Sequence, residues 1–161
     1  MRIASRRGFT LVELMVSMVI ILLLVGFSLP IFSISIREAK KKKAEEAIRS
    51  LVIALRSYYR EYNEWRPGLN SGDIDMTMVQ MLRGENPGGL NPHQRRFLEI
   101  NYSQINSRGY MDPWGRPYQY TVDADYDGVI EHDGEQLHID LGICSAGEDP
   151  EDPEDDLWSW E

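Results

Sequence analysis

The sequence predicts an α+β protein in which a long N-terminal helix packs on a small antiparallel β-sheet. Three observations carry that prediction. Residues 14 to 36 contain no charged side chain. The stretch after them repeats apolar residues at three- and four-residue spacing, the stripe of an amphipathic helix. Beyond Tyr110 the pattern shortens to runs separated by turns rich in Asp and Gly, as in hairpin strands.

The chain opens on a basic leader, with Arg2, Arg6 and Arg7 ahead of Gly8 and Phe9. Glu13 then sits at the edge of the uncharged run. An ionised carboxylate costs on the order of 3 kcal/mol at the centre of a membrane helix unless something neutralises it, so Glu13 needs a reason. As a helix, residues 14 to 36 would span roughly 34 Å, enough for one crossing of a hydrocarbon core about 30 Å thick. The alternative is a cleaved secretory signal peptide, which has a shorter apolar core and a small-residue cleavage site. Here Ile-Ser-Ile-Arg-Glu follows the run, and that alternative leaves Glu13 unexplained.

The helical pattern continues past the run. Ala44, Ala47, Ile48, Leu51, Val52, Leu55, Tyr58, Tyr59 and Tyr62 fall on one stripe, and Arg66-Pro67-Gly68 punctuates it. One nearly continuous helix from 9 to 64 is expected: residues 9–36 as a transmembrane segment, 37–64 as its amphipathic continuation. Pro30 removes a backbone donor and crowds the carbonyl of Gly26, so a kink at 26 to 30 is expected; membrane helices also tolerate proline without purpose. Arg37 and Lys40 to Lys43 form the strongly basic stretch. They either meet anionic lipid or acidic neighbouring heads, or form a solvated face balanced by Glu38, Glu45 and Glu46.

Residues 65–161 form a globular head. Within it DIDMTMVQML reads as a short helix, ENPGGLNP as a loop and FLEINY as a strand. Arg116 to Val122 reads as a strand, residues 123–134 as a turn, and Glu135 to Ile143 as the antiparallel partner. The turn contains Asp123-x-Asp125-x-Asp127-Gly128, the opening spacing of an EF-hand-type calcium loop, with the Val129 carbonyl next and Glu131 through water. The twelfth position is Gly134 instead of a carboxylate, with Asp133 or Glu135 as substitutes, and a metal-free acidic turn fits the same residues.

The formal net charge of −9, concentrated in the C-terminal third, disfavours nucleic acid as a partner. Cys144 is the single cysteine, so no intramolecular disulfide forms. No phosphate loop, G-x-S-x-G, H-E-x-x-H or C-x-x-C occurs, and His93, His132 and His138 are scattered. No enzyme is predicted.

A basic leader ending in Gly8, Phe9 after it, G-F-T-L-V-E, the apolar helix, its amphipathic continuation and a C-terminal hairpin resemble the type IV pilin and pseudopilin superfamily. DPWGRPYQY, residues 112 to 120, is similar to the D-P-W-G-x-P-Y motif of the major pseudopilin of type II secretion systems. In such a turn Pro113 presets φ, Gly115 allows the reversal and Trp114 anchors. The resemblance implies a pilin-like fold and a prepilin peptidase cutting between Gly8 and Phe9. N-methylation of Phe9 follows, and the new amino group of Phe9 meets Glu13 of a neighbouring subunit; Glu13 near the headgroups, shaping the peptidase site, is the other reading. Loss of the leader makes the chain more acidic by three charges.

The implied role is a structural subunit of a type II secretion pseudopilus. It is held in the bacterial inner membrane with its N-terminus cytoplasmic and its head periplasmic, then extracted into a helical filament of identical or related subunits. An inner-membrane platform and an assembly ATPase supply the work, and protein export is the outcome. The basic stretch after the run then lies outside, against the positive-inside tendency. A type IV pilin for adhesion, motility or DNA uptake is the alternative, and a membrane-anchored calcium-dependent hydrolase the weaker one. The resemblance also implies calcium in the acidic loop of residues 145 to 160, with Asp149, Asp155 and Asp156 as ligands and the Ala146 carbonyl as a fourth. Pro150-Glu-Asp-Pro-Glu154 replaces the family's glycine-rich middle there.

Overall fold

The computed structural model describes residues 9–65, 69–132 and 134–160; of 27–33, 132 and 135 only the backbone is described. Gly8 and the rest of the leader, Arg66-Pro67-Gly68 and Asp133 lie outside the described residues. The chain divides into two compact units, Met1–Ala39 and Lys40–Glu161.

Helix α1 runs from Leu11 to Tyr62, 52 residues, close to the 9 to 64 read from periodicity. In the first unit every described side chain from Phe9 to Gly26 is exposed. Among the described residues no helix is long and apolar enough to cross a membrane. The span expected at 14–36 passes through 27–33, so its middle and the kink expected at Pro30 lie outside the described side chains.

In the second unit the stripe works as its spacing demands. Ala44, Ala47, Ile48, Leu51, Leu55 and Tyr58 are buried, as is Ala54, while Val52, Tyr59 and Tyr62 pack partly buried against them. Burial of a Leu-sized side chain contributes roughly 1.5–3 kcal/mol, so this one face holds the helix to the head. The helix stops at Asn63, whose φ of 54° is left-handed and whose N–H donates to the Tyr59 carbonyl at 2.6 Å. Asn is one of the few residues that adopts this conformation cheaply at a helix end. Trp65 then folds back on Tyr59, with ring centroids 5.0 Å apart.

The sheet on which this helix rests is four-stranded and antiparallel, in the order β1–β4–β7–β8. Its strands are β1 (Ser71–Asp73), β4 (Gln119–Val122), β7 (Leu141–Ser145) and β8 (Leu157–Trp158). Tyr120 and Val122 face the core from β4, while Gln119 is exposed, the period of two of a half-buried strand. All of β7 is buried. Gly142 makes this possible on its outer side, because a Cβ there would stand 2.6 Å from the Trp160 ring.

Between β1 and β4 lie α2 (Met76–Leu82), capped by the Asp75 side chain on the Met78 N–H, and a two-stranded pair, β2 (Ile105–Asn106) and β3 (Gly109–Tyr110). The short helix read in DIDMTMVQML is present. The strand read in FLEINY is absent: residues 97–101 form no strand, because the loop before them is tied down elsewhere. Buried Asn91 donates to the carbonyls of Met81 and Arg95 at 2.9 and 2.8 Å and accepts from Tyr62 and the Arg95 N–H. Tyr58 donates to the Leu90 carbonyl at 2.8 Å.

The hairpin also differs from its reading. The partner of β4 is Leu141–Ser145, in the register Tyr120↔Ile143 and Val122↔Leu141, instead of Glu135 to Ile143. The intervening residues hold a hairpin of their own, β5 (Ile130–His132) and β6 (Glu135–Leu137). The fully apolar end of the predicted partner is what pairs with β4, since only it can be buried on both faces.

Candidate functional site

At the start of α1 a capping box is closed. The N–H and the hydroxyl of Thr10 both donate to Glu13 Oε2 at 3.0 Å, and the Glu13 N–H donates back to Thr10 Oγ1 at 3.2 Å. This reciprocal T-x-x-E arrangement satisfies donors that a helix start leaves free. Its signal was visible in the sequence as Thr10-Leu-Val-Glu13. Glu13 therefore has a role within its own chain, and its carboxylate is held beside residue 10. Phe9 is exposed; Gly8, its predicted cleavage partner, lies outside the described residues.

The DPWGRPY segment is a turn organised by one buried carboxylate. Asp112 Oδ1 accepts the N–H groups of Trp114 and Arg116, both at 2.9 Å, and Oδ2 accepts the Ser145 hydroxyl at 2.8 Å. The Arg116 carbonyl accepts the Asp112 N–H at 2.7 Å. The turn is thereby joined to the end of β7, where the acidic loop begins. Tyr110 and Tyr118 pack together, ring centroids 5.2 Å apart, and Tyr118 feels the Asp112 carboxylate. Burial pushes the Tyr118 phenol well above the usual tyrosine range, with Tyr110 and Asp112 adding to the effect. Burial raises Tyr110 with help from Glu46, and Tyr120 with help from Asp75.

The acidic loop leaves β7 at Ser145 and returns at β8. Asp155 closes it from inside, its Oδ2 accepting the N–H groups of Glu148 and Asp149 at 2.9 and 2.8 Å. Its Oδ1 is buried with no hydrogen-bond partner. Gly147 has φ of 55°, and a Cβ there would lie 2.1 Å from Asp155 Oδ1, so only glycine fits this close approach. Asp149 Oδ1 accepts the Glu151 N–H at 3.1 Å. The Arg116 guanidinium donates to the carbonyls of Ala146, at 3.1 Å, and Gly147. Sequence reasoning named Ala146 as a ligand and missed Arg116, which holds that carbonyl; the variable position of a turn motif gives no sign of what it will face.

The orphaned Asp155 oxygen fits a cation, while the Ala146 carbonyl is held by Arg116. Asp149, Asp155 and Asp156 do not form a converging cluster, however. Among the described residues the group of carboxylates whose ligand atoms lie within 4.8 Å of one another is Asp123, Asp125 and Asp127. Asp123 is buried and accepts from the Asp127 and Gly128 N–H groups at 3.2 and 2.9 Å, and Asp127 accepts from Val129 at 2.8 Å. Gly128, at the sixth position, has φ of 81°, the sharp turn such loops require. Glu131 sits on β5 and does not join the group. Cys144 is buried, its thiol 3.7 Å from Gln119 Oε1, while His138 is exposed.

Comparison with known proteins brings these features together. A family model described as the prokaryotic N-terminal methylation motif matches residues 3–29. The chain is 32% identical over 162 residues to the type II secretion system core protein G of Escherichia coli (strain K12), covering 97% of this chain and 92% of that protein. It is 31% identical over 124 residues to the type II secretion system core protein G of Vibrio cholerae serotype O1 (strain ATCC 39315 / El Tor Inaba N16961), covering 77% of this chain and 76% of that one. No solved structure gives a significant match.

Proposed function

The chain belongs to the family of type II secretion system core protein G, the major pseudopilins, and from that premise we infer how it works. It is a structural subunit of the pseudopilus and not an enzyme. Prepilin peptidase removes residues 1–8 at the Gly8–Phe9 bond and Phe9 is N-methylated. The new ammonium of Phe9 in one subunit pairs with Glu13 of the next. The capping box supports this geometry, since it engages Oε2 and turns the carboxylate toward the chain's own start.

The observation that carries the reading is the uncovered apolar helix, in which Leu11 to Val25 expose their large side chains. So large an apolar surface demands cover. Before assembly, lipid of the inner membrane supplies it, with the N-terminus cytoplasmic and the head periplasmic. After extraction by the platform protein and the cytoplasmic ATPase, the same stretch of neighbouring subunits supplies it, through van der Waals packing of helix on helix.

Calcium is the proposed cofactor. Asp155, Asp149, Asp156 and the Ala146 carbonyl would hold it in the acidic loop, where the unpartnered Asp155 Oδ1 supports the fit. A bound ion neutralises carboxylates that otherwise repel and adds stability by mass action. Asp123, Asp125 and Asp127, with the Val129 carbonyl, are the second candidate.

Three experiments test the reading. Deleting the chain's gene from its source cell should abolish export of secreted proteins, and the parent chain should restore it; unchanged export in the deletion would refute the role. The intact mass of the cellular protein should correspond to residues 9–161 plus one methyl group. For the metal, calcium should raise the unfolding midpoint of the full chain in detergent, and Asp155→Ala/Asp156→Ala should remove the effect. Loss in Asp125→Ala/Asp127→Ala instead would move the site to the hairpin.

A further inference from the structure

The neck of the acidic loop is held from two sides by opposite chemistry. On one side the Arg116 guanidinium donates to two consecutive carbonyls, Ala146 and Gly147. On the other, Asp155 accepts two consecutive N–H groups, those of Glu148 and Asp149. Between 148 and 156 the loop carries Glu148, Asp149, Glu151, Asp152, Glu154, Asp155 and Asp156, carboxylates that repel one another and favour an open loop. On the returning side of the loop Lys41 and Arg49 line a groove of about 620 Å³ with Glu154 and Asp156, whereas Arg116 reaches the outgoing carbonyls. Carbonyl oxygens that converge on one positive group are the donor type calcium takes, and here a guanidinium occupies them.

We propose that Arg116 is the built-in cation of this loop: by gripping the Ala146 and Gly147 carbonyls it keeps the loop closed without metal, and it is the positioning residue that a calcium ion at the neck must contend with. An ion on the Ala146 oxygen shares that atom with a guanidinium nitrogen 3.1 Å away, and two positive groups at one oxygen repel. Calcium is therefore an addition to a loop already shut, and it binds more strongly when the arginine is gone. The part of the proposal that concerns calcium rests on the function proposed above; the closing of the loop by Arg116 does not. Both bonds leave one terminal nitrogen, Nη2, whose two N–H groups are fixed in the guanidinium plane, whereas a lysine ammonium swings on a flexible stem.

The test uses the full chain in detergent micelles and a glutamyl endopeptidase, whose targets Glu148, Glu151 and Glu154 lie in the loop. Parent, Arg116→Gln and Arg116→Lys are digested in chelator and in excess calcium, with an unfolded peptide correcting for any effect of calcium on the protease. In chelator the parent loop resists. Arg116→Gln is cut about tenfold faster, the effect of losing a hydrogen bond from a charged donor, and Arg116→Lys falls between the two. Calcium slows cleavage of Arg116→Gln more than that of the parent. Parent-like rates for both variants in chelator overturn the proposal, as does a parent loop that resists only in calcium. If calcium changes nothing while Arg116→Gln opens, the arginine's role stands and the calcium reading fails. Circular dichroism reports whether Arg116→Gln folds; if it does not, Arg116→Lys alone decides, by exceeding the parent's rate or matching it.

Discussion

Replacing Asp112 tests whether the turn motif is a structural joint. Its carboxylate is 5% exposed and accepts three hydrogen bonds, two from the turn's own backbone and one from Ser145 on β7. Asp112→Ala removes all three at once and leaves two N–H groups in a half-buried turn without a partner. Hydrogen bonds to a charged group contribute roughly 1.5–3 kcal/mol each, and relief from holding a buried charge offsets part of that. The net loss is about 3–5 kcal/mol. At roughly 2–4 °C per kcal/mol for a chain of this size, the midpoint falls by about 10–15 °C. Ser145→Ala removes one bond and costs about 1 kcal/mol. Asp112→Asn keeps an acceptor for the backbone and lies between them. Urea unfolding followed by tryptophan fluorescence measures the series, with an unchanged slope confirming that stability alone has moved. Equal losses in Asp112→Ala and Ser145→Ala would refute the reasoning, because the carboxylate would then contribute nothing to the turn.

The other expectations are these. Asn91→Ala takes the side-chain donor from the Met81 and Arg95 carbonyls, and should cost about 2–4 kcal/mol in the same assay. Gly147→Ala places a Cβ 2.3 Å from the Asp155 carbonyl oxygen, which is backbone and cannot swing aside. With about 1–2 kcal/mol of left-handed strain added, it should open the loop to glutamyl endopeptidase while leaving the rest of the head folded by circular dichroism. Tyr110, Tyr118 and Tyr120 hold their protons more tightly when folded than in the unfolded chain, where tyrosine titrates near 10. Their contribution is full below pH about 10 and is lost as pH rises through the folded-state values; alkaline unfolding midpoints should shift upward for Tyr118→Phe, whose ring cannot ionise.

Local pattern made much of this molecule legible. The stripe from Ala44 to Tyr62 and the short helix at Met76–Leu82 follow from spacing and capping that involve only near neighbours. The T-x-x-E box was equally local, though it went unread in the sequence, and gives Glu13 a role within its own chain. What escaped was non-local. Asn91 organises the loop before FLEINY by reaching Met81, Arg95 and Tyr62, partners that no periodicity connects, and the Phe97 and Leu98 N–H groups both go to the Leu82 carbonyl instead of a strand partner. The register of β4 on β7 was set by which half of the predicted partner could be buried on both faces. At the acidic loop the carboxylates were legible but not the path of the chain that carries them. Arg116 enters it from a turn some thirty positions away; among the described residues the converging carboxylates are Asp123, Asp125 and Asp127, the group that the local D-x-D-x-D-G spacing names.

The helix exposed in the isolated chain should be covered by copies of itself once assembled, and cross-linking in the source cell measures that directly. Val16→Cys and Met18→Cys, two residues apart, face nearly opposite sides of α1, and Cys144 is buried and leaves the background silent. A processed filament subunit should give an oxidation-dependent ladder extending beyond dimers, lost when Gly8 is replaced so that the leader stays on. Monomers alone from a chain that is processed and still supports export would contradict assembly through this helix.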